Sequence, residues 1–219
     1  IGQGVEQNFA EALRWDRISA ENGNAWGQYN LGYMYANGKG VERDANKALE
    51  WYTLAAEQND AMAQNAIGVM FQKGDGVEQN FAEALRWYRL SAENENAWGQ
   101  YNLGYMHEFG QGVSKSYDEA FKWYTLSANQ NNSWSQYSLG LMYLKGKGVE
   151  QDANKALKWY TLAAEQNNGD AQNAIGSMYQ IGQGVEQNFT EALRWYRLSA
   201  ENENAWGQYN LGYMYANGQ

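Results

Sequence analysis

Residues 26–56 read WGQYNLGYMYANGKGVERDANKALEWYTLAA, and this stretch decides the fold. Two apolar-patterned segments flank a Gly-x-Gly-Val loop that starts at Gly38. The same loop begins at Gly2, Gly38, Gly74, Gly110, Gly146 and Gly182, and Gly218 opens a seventh, so the period is 36 residues with no gap or insertion. Trp15, Trp51, Trp87, Trp123, Trp159 and Trp195 keep that period, as do Met34 and Gln28 with their counterparts. A fixed period of this length is the mark of a stacked repeat architecture. A coarser repeat lies on top of it. Residues 74–109 match 182–217 at 31 of 36 positions, and 38–73 match 146–181 at 28 of 36, which reads as the duplication of a three-repeat block.

The segment after each loop, helix B, reads FAEALRWYRLSAEN from Phe81. Ala84, Trp87, Tyr88, Ser91 and Ala92 fall on one face at helical spacing. Asn80 with Glu83 three residues on predicts a capping box, in which each side chain accepts from an otherwise unpaired backbone N–H. Asn8 with Glu11, Ser116 with Glu119 and Asn188 with Glu191 repeat it, while Asp44 and Asp152 are N-caps without the acid. The other segment, helix A, reads NAWGQYNLGYMYANG from Asn24, with Ala25, Gln28, Leu31, Gly32 and Tyr35 on one stripe. A mid-helix Gly costs about 0.5–1 kcal/mol against Ala, yet Gly32, Gly68, Gly104, Gly140, Gly176 and Gly212 hold it in every copy. Such a position lets a neighbouring helix, expected to be the aromatic face of helix B, approach closely. Gly38 is expected to end helix A in the left-handed region. Neither helix buries its apolar face alone, so the units must stack. The expectation is an all-α, right-handed α/α superhelical solenoid of about six 36-residue helix-turn-helix repeats, twelve helices in total. Counted from the loops, the units are 2–37, 38–73, 74–109, 110–145, 146–181 and 182–217. They form a single array over 1–219 that reads as part of a longer one, since Ile1 corresponds to Ile181 and Gly218–Gln219 to Gly182–Gln183.

Composition narrows the chemistry. The chain has 219 residues, with 25 acids against 16 Lys and Arg and a net charge of −9. No basic block is present, which excludes the usual electrostatic footprint for nucleic acid or an anionic membrane surface. No apolar run approaches the 18 or so residues of a membrane span. The absence of Cys excludes disulfides, thiolate metal sites and a Cys nucleophile. One His, His107, excludes multi-His metal sites, and it stands where other repeats carry Tyr35 or Tyr215, so it reads as a packed or partly exposed structural residue. Ten Trp and 15% aromatics place the chain far from disorder.

The order AQY-x-LG-x-MY, then G-x-GV, then A-x-x-WY-x-x-AA, which stands between Trp26 and Ala56, resembles the Sel-1-like repeat, a relative of the tetratricopeptide repeat. The resemblance covers the whole chain. Asp16 departs from the Tyr that follows the Trp, Asn65 and Asn173 replace the helix A Tyr, and Ser91, Ser127 and Ser199 stand where the pattern has Ala. The resemblance implies a non-enzymatic protein-binding scaffold without cofactors, of a kind that in bacteria is often periplasmic, secreted or linked to toxins.

Chemically suggestive motifs have structural readings. The Gly-x-Gly loops join two helices, lack a preceding strand and a third Gly, and are followed by acids such as Glu42, so they read as turns rather than phosphate cradles. Glu93 with Glu95, and Asp118 with Glu119, lie at helix ends where solvated acids are expected. Asn131 and Asn188 head glycosylation sequons. The six helix B Trp residues read as core. Trp26, Trp98, Trp134 and Trp206 occupy a helix A position that carries Met62 and Asp170 elsewhere, so packing does not dictate them. Tyr33, Tyr105, Leu141 and Tyr213 belong to a second variable row seven residues further on, with Val69 and Ser177 as the alternatives. In tetratricopeptide arrays the corresponding rows line a groove, so the resemblance implies an aromatic stripe there. Exposed Trp and Tyr make good binding anchors. The expected partner is a polypeptide, either a peptide segment or a toxin or effector covered by an adaptor or immunity protein. The alternative is a glycan stacked on the Trp and Tyr rings.

Overall fold

The computed structural model describes residues 6–218. The first Gly-x-Gly-Val loop at Gly2 and the residue Gln219 lie outside the described residues. The chain divides after Lys115 into two compact units. The first holds α1 (Phe9–Glu21), α2 (Ala25–Asn37), α3 (Ala45–Glu57), α4 (Ala61–Lys73), α5 (Phe81–Glu93) and α6 (Ala97–Phe109). The second holds α7 (Tyr117–Asn129), α8 (Ser133–Lys145), α9 (Ala153–Ala164), α10 (Gly169–Ile181), α11 (Phe189–Glu201) and α12 (Ala205–Asn217). Twelve helices and no strand are present among the described residues, and the fold is an all-α solenoid. Odd-numbered helices are helix B and even-numbered ones helix A. Helix A packs most extensively on the helix B that follows it, as α2 does on α3 and α10 on α11.

That packing is a ring in a slot. An ideal Cβ added to Gly32 would lie 2.7 Å from Tyr52 Cδ1, and one added to Gly68 or Gly176 would lie 2.6 Å from Tyr88 or Tyr196. The repeated Gly is therefore the floor on which the next helix B lays its Tyr, as its position in helix A suggested. Tyr88, Tyr124, Tyr160 and Tyr196 are fully buried, together with Leu31, Ile67, Leu103, Leu139 and Ile175. Each such side chain contributes about 1.5–3 kcal/mol by leaving water.

The placement of the helix B tryptophans as core needs correction. Trp15 is 60% exposed, and Trp51, Trp87, Trp123, Trp159 and Trp195 are half-buried. Adjacent helical residues point about 100° apart. The Gly slot takes the Tyr, and the Trp before it falls to the margin of the face. A cation of the same helix covers the outer side of the ring: Arg86 sits 4.4 Å from the Trp87 centroid and Arg194 sits 4.6 Å from that of Trp195.

The caps are as read, with one difference. Asn8, Asp44, Asn80, Ser116, Asp152 and Asn188 cap helix B, and Gly38, Gly74, Gly110, Gly146, Gly182 and Gly218 end helix A in the left-handed region. Only the forward half of the box forms at Asn80 and Asn188. The backbone N–H of Asn80 donates to Phe71 O at 2.9 Å, and that of Asn188 to Tyr179 O at 2.9 Å, which ties helix B back to helix A. The acids Glu83 and Glu191 instead accept from Arg86 and Arg194 Nε, both at 3.0 Å.

Candidate partner-binding surface

Helix A begins at a turn that follows helix B and ends at a Gly-x-Gly-Val loop. The two variable rows lie near its two ends, seven residues or about 10 Å apart along the axis. Trp26 on α2 is 58% exposed and Trp98 on α6 is 49% exposed; in the second unit Trp134 on α8 is 41% and Trp206 on α12 is 65% exposed. Tyr33 and Tyr213 are exposed, and Tyr105 and Leu141 are half-buried. α12 is the last helix among the described residues.

The Trp rings rest on a row that sequence reasoning passed over. Trp26 meets Tyr29 with centroids 6.0 Å apart, Trp98 meets Tyr101 edge-on at 5.9 Å, and Trp206 meets Tyr209 at 6.2 Å. Tyr29 in turn packs on the buried Tyr52 at 5.7 Å, and Tyr137 on Tyr160 at 5.7 Å. The i, i+3 spacing from Trp to Tyr was the available signal. Burial pushes Tyr137 up to about 12, with the Asp170 carboxylate adding to the rise. Burial raises Tyr29 too, with Asp60 adding. The acids at the starts of α4 and α10 therefore stand close to the preceding helix A. Where Asn65 and Asn173 replace that Tyr, Asn102 and Asn210 of the next helix A donate to them at 2.8 Å.

The second row opens into clefts between successive helices A. In the first unit a cleft of about 290 Å³ lies between α2 and α4, with Tyr33, Ala36, Ala66 and Val69 as walls and Tyr52 and Met70 on the floor. Lys73 and Asp75 rim it, and Arg43 holds Asp75 with its Nη2 2.6 Å from the carboxylate. In the second unit a cleft of about 450 Å³ lies between α10 and α12, lined by Ile181, Phe189, Tyr209 and Tyr213 with the amides Gln180, Gln187 and Asn210. It contains no charged side chain. Ala36 and Gln180 are equivalent positions, as are Ala66 and Asn210, and Val69 and Tyr213, so both units open the same joint. Tyr105 stacks on the exposed Phe109 at 4.4 Å, another aromatic outside the two rows.

The repeated Gln is structural. Gln28, Gln64, Gln100, Gln136 and Gln172 are buried. Gln64 Nε2 donates to Ala56 O at 3.4 Å, while its Oε1 accepts from Asn94 Nδ2 of the next repeat at 2.9 Å. Gln172 does the same with Ala164 O and Asn202. His107 is buried, the packed one of the two places its row allowed. No group of three or more His, Cys, Asp or Glu is set to hold a metal among the described residues, and no described helix is long and apolar enough to cross a membrane.

Stacked helix pairs, with exposed aromatics on α2, α6, α8 and α12, define an α-solenoid. The chain belongs to the Sel1 repeat family, whose model matches residues 1–24, 27–60, 61–96, 99–132, 135–168, 169–204 and 207–219. That model counts its repeats from helix A rather than from the loop. Sel1 repeats generally mediate protein–protein interaction. Among solved structures, a protective antigen of uropathogenic Escherichia coli with the same fold is 36% identical at a TM-score of 0.85, over 99% of this chain and 46% of that one. A Sel1 repeat protein from Oxalobacter formigenes is 35% identical at a TM-score of 0.90, over 96% of this chain and 84% of that one. The chain thus spans less than half the length of the first. An immunity protein from Pseudomonas aeruginosa shares the fold at 18% identity and a TM-score of 0.62, over 93% of this chain and 78% of that one. No match was found among curated proteins.

Proposed function

We propose that this chain is a non-enzymatic scaffold that holds a partner polypeptide along its helices A. Tyr33, Tyr105, Leu141 and Tyr213 serve as contacts at one end of those helices and Trp26, Trp98, Trp134 and Trp206 at the other. The observation that carries the reading is the cleft that recurs between successive helices A in both units, walled by the variable row and free of charge in the second unit. A tyrosine wall over a buried aromatic floor takes an apolar side chain, and the flanking amides Gln180, Gln187 and Asn210 suit a peptide backbone. The narrower form, an adaptor or immunity protein that covers a toxin, takes its motive from solved proteins of that name which share the fold. The glycan alternative draws on the exposed Trp faces. The test is capture of a partner by the whole chain, followed by Tyr33→Ala/Tyr213→Ala. Truncated hot-spot aromatics cost about 2 kcal/mol or more, so capture should fall at least about tenfold while thermal unfolding is unchanged. Undiminished capture would move the binding surface off the clefts. A fluorescence response to oligosaccharides with no captured protein would favour the glycan.

A further inference from the structure

Six stretches join a helix B to the next helix A: 21–27, 57–63, 93–99, 129–135, 165–171 and 201–207. None contains Lys, Arg or His. In the first unit they hold Glu21, Glu57, Asp60, Glu93 and Glu95; in the second, Glu165, Asp170, Glu201 and Glu203. These nine account for the whole net charge of −9, because the other 16 acids are matched by 16 Lys and Arg. All are exposed except Asp60 and Asp170, which are half-buried. Among the described residues none of the nine is ion-paired, whereas Glu11, Asp75, Glu83, Glu119 and Glu191 elsewhere each hold a base. Helix dipoles do not offset this charge, since each turn joins a negative C-terminus to a positive N-terminus.

A second observation concerns the tryptophans on the same turns. On helix B, Trp15, Trp87, Trp123 and Trp195 each carry a cation of this chain on the ring. Trp26, Trp98, Trp134 and Trp206 carry none among the described residues, although they are more open than Trp87, Trp123 and Trp195. In the second unit Trp134 walls a cleft of about 390 Å³ whose only charged groups are Asp170 and Glu203, with the amides of Gln166, Asn167 and Asn202 between them. Asn204 Nδ2 donates to Asp170 Oδ1 at 2.7 Å and fixes that carboxylate. Unpaired carboxylates beside a bare indole face are complementary to a cation, and a guanidinium suits both because it stacks on the ring and forks onto the acid.

We propose that the helix B to helix A turns receive a basic, arginine-bearing segment of the polypeptide partner, with the Trp134 cleft as one seat. The proposal rests on the scaffold reading and gives that partner its charge. It is tested with octa-arginine as the probe, followed by calorimetry and tryptophan fluorescence on the whole chain, with octaglutamate as the counter-probe. Octa-arginine should bind and octaglutamate should not. Trp134→Leu combined with Asp170→Asn and Glu203→Gln should raise the octa-arginine Kd about tenfold, the sum expected of exposed ion pairs and one cation–π contact. Glu150→Gln/Glu186→Gln removes the same two charges from the exposed Gly-x-Gly-Val loops and should change Kd less than about twofold. Equal losses from the two sets would reduce the effect to net charge and overturn the proposal, as would octa-arginine that binds no better than octaglutamate. Tyr33→Ala/Tyr213→Ala should leave octa-arginine binding alone. Failure to capture any polypeptide would therefore sink the scaffold reading without touching this result, and capture that ignores those tyrosines would only move the partner off the helix A clefts.

Discussion

The Tyr-in-slot packing makes one substitution carry opposite signs at two equivalent positions. At Gly68 an added Cβ would meet Tyr88 Cδ1 and Cε1 at 2.6 Å, and Tyr88 has no room to retreat, being fully buried with its hydroxyl donating to Gln72 Oε1 at 2.7 Å. At Gly212 the same Cβ would meet nothing within 4 Å. Alanine gains about 0.5–1 kcal/mol of helix propensity at either site. Forcing a methyl into a filled core costs about 1–3 kcal/mol. Gly68→Ala is thus expected to lose about 1–2 kcal/mol net and Gly212→Ala to gain about 0.5–1 kcal/mol. For a chain of this size that is a fall in Tm of about 3–6 °C against a rise of about 1–3 °C. Circular dichroism at 222 nm measures both, and since repeat arrays unfold in segments, amide hydrogen exchange of α4–α5 and of α12 localises each shift. A Gly68→Ala protein as stable as the parent would mean that the ring moves aside freely, and the slot would then not explain the repeated Gly.

Four further outcomes follow from single contacts. Tyr160 Oη is buried without a partner, because Leu144 stands where Gln72 and Gln180 serve Tyr88 and Tyr196; Leu144→Gln should add about 1 kcal/mol in urea unfolding, and a loss would show that the leucine packing matters more. Glu95 and Glu203 hold φ near 60° where the first repeat has Gly23, so Glu95→Gly should stabilise by about 1 kcal/mol, with no change counting against stored strain. Tyr88→Ala should cost about 3–5 kcal/mol and Trp87→Ala clearly less, the reverse order restoring Trp to the core. Burial raises the pKa of Tyr52, Tyr88, Tyr160 and Tyr196 above the unfolded value near 10. Their neutral form therefore stabilises the fold fully below pH 10, and that stability is lost as pH climbs past 10; absorbance at 295 nm should show one tyrosine class titrating normally and a second only as helicity is lost, and a single class near 10 with intact helicity would refute the burial.

The sequence carried the period, the caps and the Gly contact because each depends on local spacing or on one missing side chain. The order of burial between Trp87 and Tyr88 was not legible. Both are large and apolar on a wide face, and only the position of the Gly68 slot on another helix decides between them. Gln64 repeated as strictly as the Trp, but its double link to Ala56 O and Asn94 depends on a chain reversal that periodicity does not encode. The capping box failed on its reverse half because Phe71 O competes for the Asn80 N–H, a contact between helices. Glu95 could not be read as left-handed, since its type argues against it. For the surface, the two variable rows were legible as rows, whereas the clefts beside Tyr33 and Tyr213 needed the neighbouring helices in place.

Variation along the array is answered between helices at some positions and within one helix at others. Some positions vary in concert. Gly27, Gly99 and Gly207 face Ser19, Ser91 and Ser199, with an added Cβ driven into each serine. Where helix A has Ala63 or Ala171, helix B has Ala55 or Ala163, and where it has Ser135 the partner is Ser127, joined Oγ to Oγ at 2.7 Å. Each exchange on one helix is answered on the other, as a filled interface demands. The row of Trp26, Met62, Trp98, Trp134, Asp170 and Trp206 is answered within its own helix: Tyr29, Tyr101, Tyr137 and Tyr209 follow the four Trp by one turn, whereas Asn65 and Asn173 follow Met62 and Asp170, and Trp26, Trp98 and Trp206 meet their Tyr rings. Each of the four Trp nevertheless leaves 41–65% of its surface open, apolar area that folding does not take out of water. That open surface is what our proposal uses: it puts recognition on the turn edge and the helix A clefts, while the Gly, Gln and Tyr rows hold the repeats together.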